Sequence, residues 1–299
     1  MTTCLLGLGS NLGDGQATFR AALAEIDALP DVRLVRRSKE CRTRPVGGPV
    51  DQPDFLNAAA VIESTVPPLS LLEELQEIET RHGRQRTERW SPRTLDIDLL
   101  LYGNDVTETE MLTLPHPRMS FRRFVLEPSA EIAPRMLHPV IGWPIERLLL
   151  HLDAASNQVA LLTTSEPLRC QLAERIAGRF AAKEIAPPTF PTAENLWPSL
   201  WAVWLELSPS APENVTAVNR PTGLPYAAAL FPKLTILLDG DTAAFRAARA
   251  EWSTLVRQPG RGPTLRLQTS DRATIEAEVM AAIEAVWPDL GPTAANRLK

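Results

Sequence analysis

The first 102 residues alternate between two hydrophobic periods. Four short apolar runs bounded by turn residues are typical of strands, and they cover residues 2–7, 32–43, 55–64 and 95–102. Between them, apolar side chains recur at helical spacing: Phe19, Leu23, Ile26 and Leu29, and then Leu71, Leu75 and Ile78. The order is therefore βαββαβ, which is the split arrangement of ferredoxin-like sheets. We predict an α+β domain of this kind.

The sequence changes in character beyond about residue 153. Three tryptophans recur at i, i+4 and i+7 and predict a helix whose aromatic stripe lies in a core: Trp197, Trp201 and Trp204. Residues 234–238 read as a buried strand, and residues 274–287 as a closing amphipathic helix. We therefore predict two domains, 1–153 and 154–299, of which the second is an α/β unit.

The overall composition is that of an ordinary globular protein. Hydrophobic residues make up 44% and charged residues 22% of 299 residues, which excludes wholesale disorder and collagen-like repeats. No apolar run approaches the roughly 20 residues that a membrane-spanning helix needs. The first residues lack the basic flank of a secretory signal, and the three cysteines form no CxxC pattern. We expect a soluble cytoplasmic protein with neither a disulfide framework nor a zinc site.

Arginine is the dominant basic residue. The chain has 31 Lys+Arg, of which four are Lys, so 31 − 4 = 27 are Arg. Codon bias explains the general abundance, but five arginines fall within thirteen residues: Arg81, Arg84, Arg86, Arg89 and Arg93. Since the net charge is −5, one dense cluster favours binding of a compact anion over binding of nucleic acid.

Two carboxylates follow this cluster on a predicted strand. Because side chains alternate along a strand, Asp96 and Asp98 share one face while Leu95, Ile97 and Leu99 occupy the other. Neighbouring carboxylates repel each other unless a cation lies between them, and Mg²⁺ prefers such hard oxygen ligands together with phosphate oxygens. The pattern predicts chemistry on a Mg²⁺–nucleotide phosphate. The alternative is that both carboxylates form plain ion pairs with Arg84–Arg93.

Four separated motifs, in order, carry a family resemblance. They are the glycine-rich residues 7–13, residues 51–57, residues 89–98, and residues 115–119 with Arg122 and Phe124. Residues 3–153 thereby closely resemble the 6-hydroxymethyl-7,8-dihydropterin pyrophosphokinases of folate biosynthesis. The resemblance implies a ferredoxin-like fold and transfer of the diphosphate of ATP to the pterin hydroxymethyl group, with release of AMP. It also implies two Mg²⁺ ions and small-molecule partners alone, with no nucleic acid and no membrane.

The resemblance further implies roles for individual residues. Asp96 and Asp98 match the metal-binding carboxylates, and together with Arg84 and Arg93 they match the catalytic positions. The implied pterin-binding positions are Thr43, Val46, Phe55, Asn57, Trp90 and Phe124. The implied ATP-binding positions are Gln76, Glu79, Arg84, Arg86, Arg93, Leu99, His116 and Arg122. Arg44 departs from the family, which commonly has Pro at this position.

The second half of the chain has only a faint resemblance, to the later part of deoxynucleoside or thymidylate kinases. No GxxxxGK[ST] motif occurs anywhere, and residues 161–165 lie where such a phosphate-binding loop is expected. We therefore expect a degenerate domain with a structural role or a role in forming a homodimer.

Two other functions compete with the pyrophosphokinase. A nucleotide-sugar transferase would use the Asp-x-Asp pair but leave Asn57, Phe55 and Phe124 unexplained. A nucleotide-binding regulator without activity would suit the second half but not the intact Asp96, Asp98, Arg93 and His116.

Overall fold

The computed structural model divides into two compact units. It describes residues 1–48, 52–84, 91–163, 165–185, 201–207, 232–238, 262–267, 269 and 271–288. The units are Met1–Leu149 and Leu150–Lys299. The division falls four residues (153 − 149) before the boundary expected from the sequence.

Within its described residues, the first unit contains seven strands, three complete helices and the first part of a fourth helix. In chain order, these are β1 (Thr2–Ser10), α1 (Gly15–Asp27), β2 (Val32–Arg37), β3 (Cys41–Thr43), β4 (Phe55–Ser64), α2 (Pro68–Arg81), β5 (Asp96–Tyr102), β6 (Thr107–Glu108), β7 (Thr113–Leu114), α3 (Arg123–Ile132) and α4 (Ile145–Ala154). A 3-10 turn at Met119–Phe121 precedes α3, and the division between the units falls inside α4.

The main sheet of this unit is antiparallel. Its strand order is β2–β4–β1–β5, and β3 also pairs with β4. The mixed helix and strand content agrees with the α+β prediction, and the third predicted strand, Phe55–Ser64, has the predicted bounds.

The predicted second strand, residues 32–43, was wrong in one respect, because it is two strands rather than one. Ser38 lies at the break. Its hydroxyl accepts a hydrogen bond from the Ala59 amide at 2.9 Å, and its own amide donates to the Ala59 carbonyl at 2.9 Å. A side chain therefore takes a place in the ladder that a strand carbonyl would otherwise fill.

One face of the sheet forms the core with helices α1 and α2. The helical stripes of the sequence, such as Phe19, Leu71 and Ile78, are buried against Ile97 and Leu99 of β5. Burying each such side chain contributes about 1.5–3 kcal/mol. Because Ile97 and Leu99 point into the core, the alternating Asp96 and Asp98 lie on the opposite face.

The second unit contains a separate five-stranded sheet. Its described elements are β8 (Ser156–Thr163), α5 (Glu166–Phe180), β9 (Lys183–Ile185), β10 (Trp201–Glu206), β11 (Pro232–Leu238), β12 (Thr264–Leu267) and α6 (Arg272–Val286). The strand order is β12–β11–β8–β10–β9. Strand β11 runs parallel to β8 and β12, whereas β10 is antiparallel to β8 and β9.

The helix predicted from the tryptophan spacing is wrong for residues 201–204, which lie in strand β10. Trp197 lies outside the described residues. Trp and Val, which occupy positions 201, 203 and 204, both favour strands, and β10 pairs with β8 on one side and β9 on the other. Among the described helices of either unit, none has the length and apolar character needed to cross a bilayer.

Candidate active site

A cavity of about 420 Å³ opens in the first unit on the sheet face away from α1 and α2. Its described lining consists of Gly7, Leu8, Gly9, Thr43, Arg44, Val46, Phe55, Asn57, Ala58, Arg84, Ser91, Arg93, Asp96, Asp98, His116, Arg118, Arg122, Phe124 and Val125. Strand β1 runs across the middle of this region, between β4 and β5. The cavity is therefore built on three adjacent strands.

Strand register brings the polar groups of the cavity together around two glycines. Gly9 pairs with Asn57 on β4 and with Asp96 on β5, and Gly7 pairs with Asp98. A Cβ atom added to Gly9 would lie 3.7 Å from Asp96 Cβ and 3.9 Å from Asn57 Oδ1, which are ordinary contacts. Glycine at position 9 therefore leaves free space between the amide and the carboxylate.

The β4 side of the cavity combines an amide with aromatic rings. Asn57 is 5% exposed, and its Nδ2 donates to Thr43 Oγ1 at 2.8 Å. This bond orients the amide, so that Oδ1 faces the floor beside Gly9. Phe55 and Phe124 also line the cavity. An oriented amide between aromatic groups suits a flat, hydrogen-bonding heterocycle.

The two carboxylates of β5 have different surroundings. Arg93 Nη1 lies 2.7 Å from Asp96 Oδ2, and Arg84 contacts the other oxygen of Asp96. Asp98 has no arginine partner among the described residues, and its side chain is 33% exposed. Among the described arginines, the ion-pair alternative therefore applies to Asp96 but not to Asp98, while Arg86 and Arg89 lie outside the described residues.

Burial and the Asp98 carboxylate raise the pKa of Asp96 above its ordinary value, and the guanidinium groups of Arg93 and Arg84 oppose this rise. A divalent cation between the two carboxylates would remove their mutual repulsion and favour the charged form of both.

Glu79 supports this arrangement from below. It is 2% exposed at the end of α2, and its Oε1 accepts a hydrogen bond from the Ile97 amide at 2.6 Å. The same oxygen contacts Arg84, so that Arg84 lies between Glu79 and Asp96. Glu79 therefore fixes both Arg84 and the start of β5.

His116 is held in one tautomer next to Asp98. Its Nδ1 accepts a hydrogen bond from the Arg118 amide at 3.2 Å, so the neutral ring carries its proton on Nε2, which lies 3.9 Å from Asp98 Oδ1. Burial, with Arg122 and Arg118 nearby, lowers the pKa of His116 to about 3. The imidazole is therefore neutral near pH 7 and presents an N–H donor.

The cavity contains most of the residues that the sequence nominated. Eleven line it: Thr43, Val46, Phe55, Asn57, Arg84, Arg93, Asp96, Asp98, His116, Arg122 and Phe124. Three do not: Gln76, the buried Glu79, and Leu99, whose side chain is 3% exposed in the core. Arg86 and Trp90 lie outside the described residues.

Sequence reasoning missed three polar residues of the lining, namely Arg44, Ser91 and Arg118. Arg44 follows Thr43, Ser91 follows Trp90, and Arg118 lies two residues after His116. The available signal was therefore their closeness in sequence to predicted site residues. No residue-type pattern distinguishes them from solvated loop residues.

The donor set fits a hard cation that is shared with a ligand. Among the described residues there is no group of three or more His, Cys, Asp or Glu side chains arranged to hold a metal ion. Asp96 and Asp98 provide two carboxylates, so phosphate oxygens and water would complete the coordination of Mg²⁺. A carboxylate pair and several arginines beside an aromatic and amide pocket are the features of a small-molecule phosphotransferase.

Comparisons with known proteins identify the family. The sequence profile of the 7,8-dihydro-6-hydroxymethylpterin-pyrophosphokinase (HPPK) family matches residues 5–134. The 2-amino-4-hydroxy-6-hydroxymethyldihydropteridine pyrophosphokinase of Haemophilus influenzae is 47% identical over 139 residues, which cover 46% of this chain and 86% of the relative. The protein of the same name from Methylorubrum extorquens is 44% identical over 153 residues, or 51% of this chain and 95% of the relative. The chain belongs to the HPPK family.

A solved structure shares a more distant similarity. The Plasmodium falciparum HPPK-DHPS crystal structure aligns at 16% identity and a TM-score of 0.38, covering 50% of this chain and 41% of that chain. The chain thus spans less than half of that larger protein, and a similarity at this level carries no inference about function.

Proposed function

We propose that this protein transfers the diphosphate of ATP to 6-hydroxymethyl-7,8-dihydropterin and releases AMP, in folate biosynthesis. The observation that carries the proposal is the strand register that brings Asn57 and Asp96 to the two sides of Gly9. An amide that would bind the heterocycle thus lies next to a carboxylate that would hold Mg²⁺ for the phosphates. The names of the 40–47% identical relatives support the same reaction.

The β4 side would bind the pterin. Thr43 orients the Asn57 amide, and Phe55 and Phe124 would enclose the ring. Val46 completes this side of the lining. The amide would select the pterin by pairing with its polar ring edge, because a buried polar group left unpaired costs about 1–3 kcal/mol.

The β5 side would bind the triphosphate. Arg84, Arg93 and Arg122 offer planar donor groups that suit phosphate oxygens, and His116 offers a neutral N–H. Asp96 and Asp98 would hold Mg²⁺, for which we propose two ions. When bound, Mg²⁺ neutralises the charge of the phosphates.

No nucleophilic side chain is needed. The pterin hydroxymethyl oxygen forms a bond to the β-phosphorus of ATP, the bond from that phosphorus to the AMP oxygen breaks, and the hydroxyl proton passes to solvent water. Phosphoryl transfer of this kind depends on in-line positioning and charge stabilisation. Arg84 is held in place by Glu79. Its guanidinium is therefore suited to stabilise the negative charge that develops on the oxygen of the leaving AMP.

The finer description of the fold is also a proposal. The antiparallel order β2–β4–β1–β5, with helices α1 and α2 on one face, supports a ferredoxin-like first domain. For the second domain we propose a structural or dimerising role, supported by the absence of a GxxxxGK[ST] loop from the sequence. All described lining residues of the cavity fall between Gly7 and Val125. A chain ending at Asp153 should therefore still form AMP.

The direct test is an end-product assay. The purified full chain, ATP, Mg²⁺ and the hydroxymethyl pterin should give AMP and pterin diphosphate in equal amounts, separated by anion-exchange chromatography. Formation of ADP would indicate single phosphoryl transfer and refute the proposal. Binding of ATP without turnover would instead favour the nucleotide-binding regulator, and turnover with a nucleotide sugar would favour the transferase.

A further inference from the structure

The strand order separates Arg44 from the arginines on the β5 side of the cavity, whereas Arg122 has its guanidinium 5.4 Å from the centroid of the Phe124 ring. Arg84 and Arg93 contact Asp96 on β5, and the loop of Arg118 is tied to β5 where the His116 amide donates to the Leu100 carbonyl. Arg44 instead follows β3, which pairs with β4 on the other side of β1. Arg44 therefore enters the cavity from the side of Thr43 and Val46, where the pterin is proposed to bind.

Arg44 is also electrostatically different. Arg84 and Arg93 are engaged by carboxylates, whereas Arg44 forms no ion pair with any carboxylate in the described part of the chain. Its residue is exposed, so the guanidinium is solvated and available to an incoming anion. The pterin pocket itself contains neutral polar groups, namely Asn57 and Thr43.

The chemistry of the reaction gives this cation a specific ligand. The pterin alcohol is uncharged and offers a guanidinium no ionic partner, but the product carries a diphosphate on its hydroxymethyl oxygen. Negative charge is thus covalently joined to the pterin only after transfer. We propose that Arg44 binds the diphosphate of the pterin product and so discriminates the charged product from the uncharged alcohol. This inference rests on the proposed function, and it adds a residue that favours product retention.

The test compares Arg44→Gln with a matched control, Arg42→Gln. Arg42 is an exposed residue of β3 that does not line the cavity, so its substitution removes the same charge two positions away. Dissociation constants would be measured by calorimetry for the pterin alcohol, the pterin diphosphate and ATP, each in the presence of Mg²⁺. Thermal unfolding of each variant would verify that it is folded.

We expect Arg44→Gln to weaken binding of the pterin diphosphate about tenfold or more, since hydrogen bonds to a charged group are lost. Binding of the alcohol and of ATP should stay within about twofold, and Arg42→Gln should leave all three unchanged. Arg44→Lys should restore part of the product affinity, because it keeps the charge but not the bidentate fork. The loss in Arg44→Gln should shrink as salt is raised.

Three results would overturn the inference. Equal weakening of alcohol and product would make Arg44 part of the pterin pocket, and weakened ATP binding would assign it to the triphosphate. Unchanged product binding would leave it a solvated surface residue. The wild-type assay separates these outcomes from failure of the proposed function: if the wild type forms AMP and only the Arg44 result fails, the reaction stands and the role of Arg44 does not.

Discussion

Replacing Asn57 by alanine tests whether the amide is a ligand or only a structural group. The side chain is almost fully buried, and Thr43 Oγ1 is its one described hydrogen-bond partner. Removing it deprives a bound pterin of the amide oxygen that lies beside Gly9 on the cavity floor. The cost of leaving buried polar groups unpaired is about 1–3 kcal/mol, which corresponds to about 5- to 150-fold in the dissociation constant of the pterin.

The assay is calorimetric titration of the variant with the pterin and, separately, with ATP. The affinity for ATP should stay close to that of the wild type, because the groups proposed to bind the triphosphate lie on the other side of the cavity, near β5. Thr43→Val is the matched comparison: it keeps the amide but removes the hydroxyl that orients it, so it should weaken pterin binding less than Asn57→Ala does. If ATP and pterin affinities fall together in Asn57→Ala, the amide supports the structure of the cavity and is not a ligand.

Three further predictions concern the cavity. Asp98→Asn should lower turnover by several orders of magnitude without loss of stability, because no described arginine forms an ion pair with Asp98. Asp96→Asn should lower turnover as well, and it should also lower the free energy of unfolding by about 1–3 kcal/mol, because Arg84 and Arg93 lose their carboxylate partner. Full activity of either variant at saturating Mg²⁺ would contradict the metal assignment. Gly9→Ala should fold normally, since its Cβ meets only ordinary contacts, but should weaken pterin binding by filling the floor beside Asn57, and unchanged binding would refute this. The pKa of His116 is about 3 in the folded protein and about 6.5 in the unfolded chain, so the unfolded chain binds one more proton between these values and wild-type stability should fall as pH drops from about 6.5 toward 3. In denaturant titrations, the stability of His116→Gln should decline less steeply over this pH range. Parallel curves for the two proteins would refute the assignment of a lowered pKa to His116.

The backbone periodicities of the first unit could be predicted from sequence because each is a local pattern. Asp96 and Asp98 share a face since side chains alternate on any strand, and this places them opposite Ile97 and Leu99 in the structure as well. The break at Ser38 could not be predicted, because it depends on a hydrogen bond to Ala59, which is 21 residues away. Residues 201–204 likewise form part of strand β10 rather than the predicted helix, and β10 pairs with β8, a partner that the local tryptophan spacing does not specify.

Nomination of site residues by motif position also has a physical limit. Glu79 was nominated for ATP because of its place on α2, yet it is buried and bonded to Ile97 and Arg84. Whether a residue points at the ligand or at another ligand-binding residue depends on the depth of the helix against the sheet, which a sequence pattern does not specify. The same holds for Arg44, which lines the cavity from the position directly after β3.

The carboxylate contacts also separate the roles of Arg84 and Arg93. Arg84 contacts two carboxylates, Glu79 and Asp96. It would therefore keep its ion pair with Glu79 when a cation binds to Asp96. Arg93 has a single described carboxylate partner, Asp96. Metal binding at Asp96 would therefore release Arg93 more completely than Arg84, because an ion pair with a metal-bound carboxylate is weaker. We expect Arg93 to move with the phosphate groups as they are transferred. Arg84 should keep the fixed position that stabilisation of the developing negative charge requires.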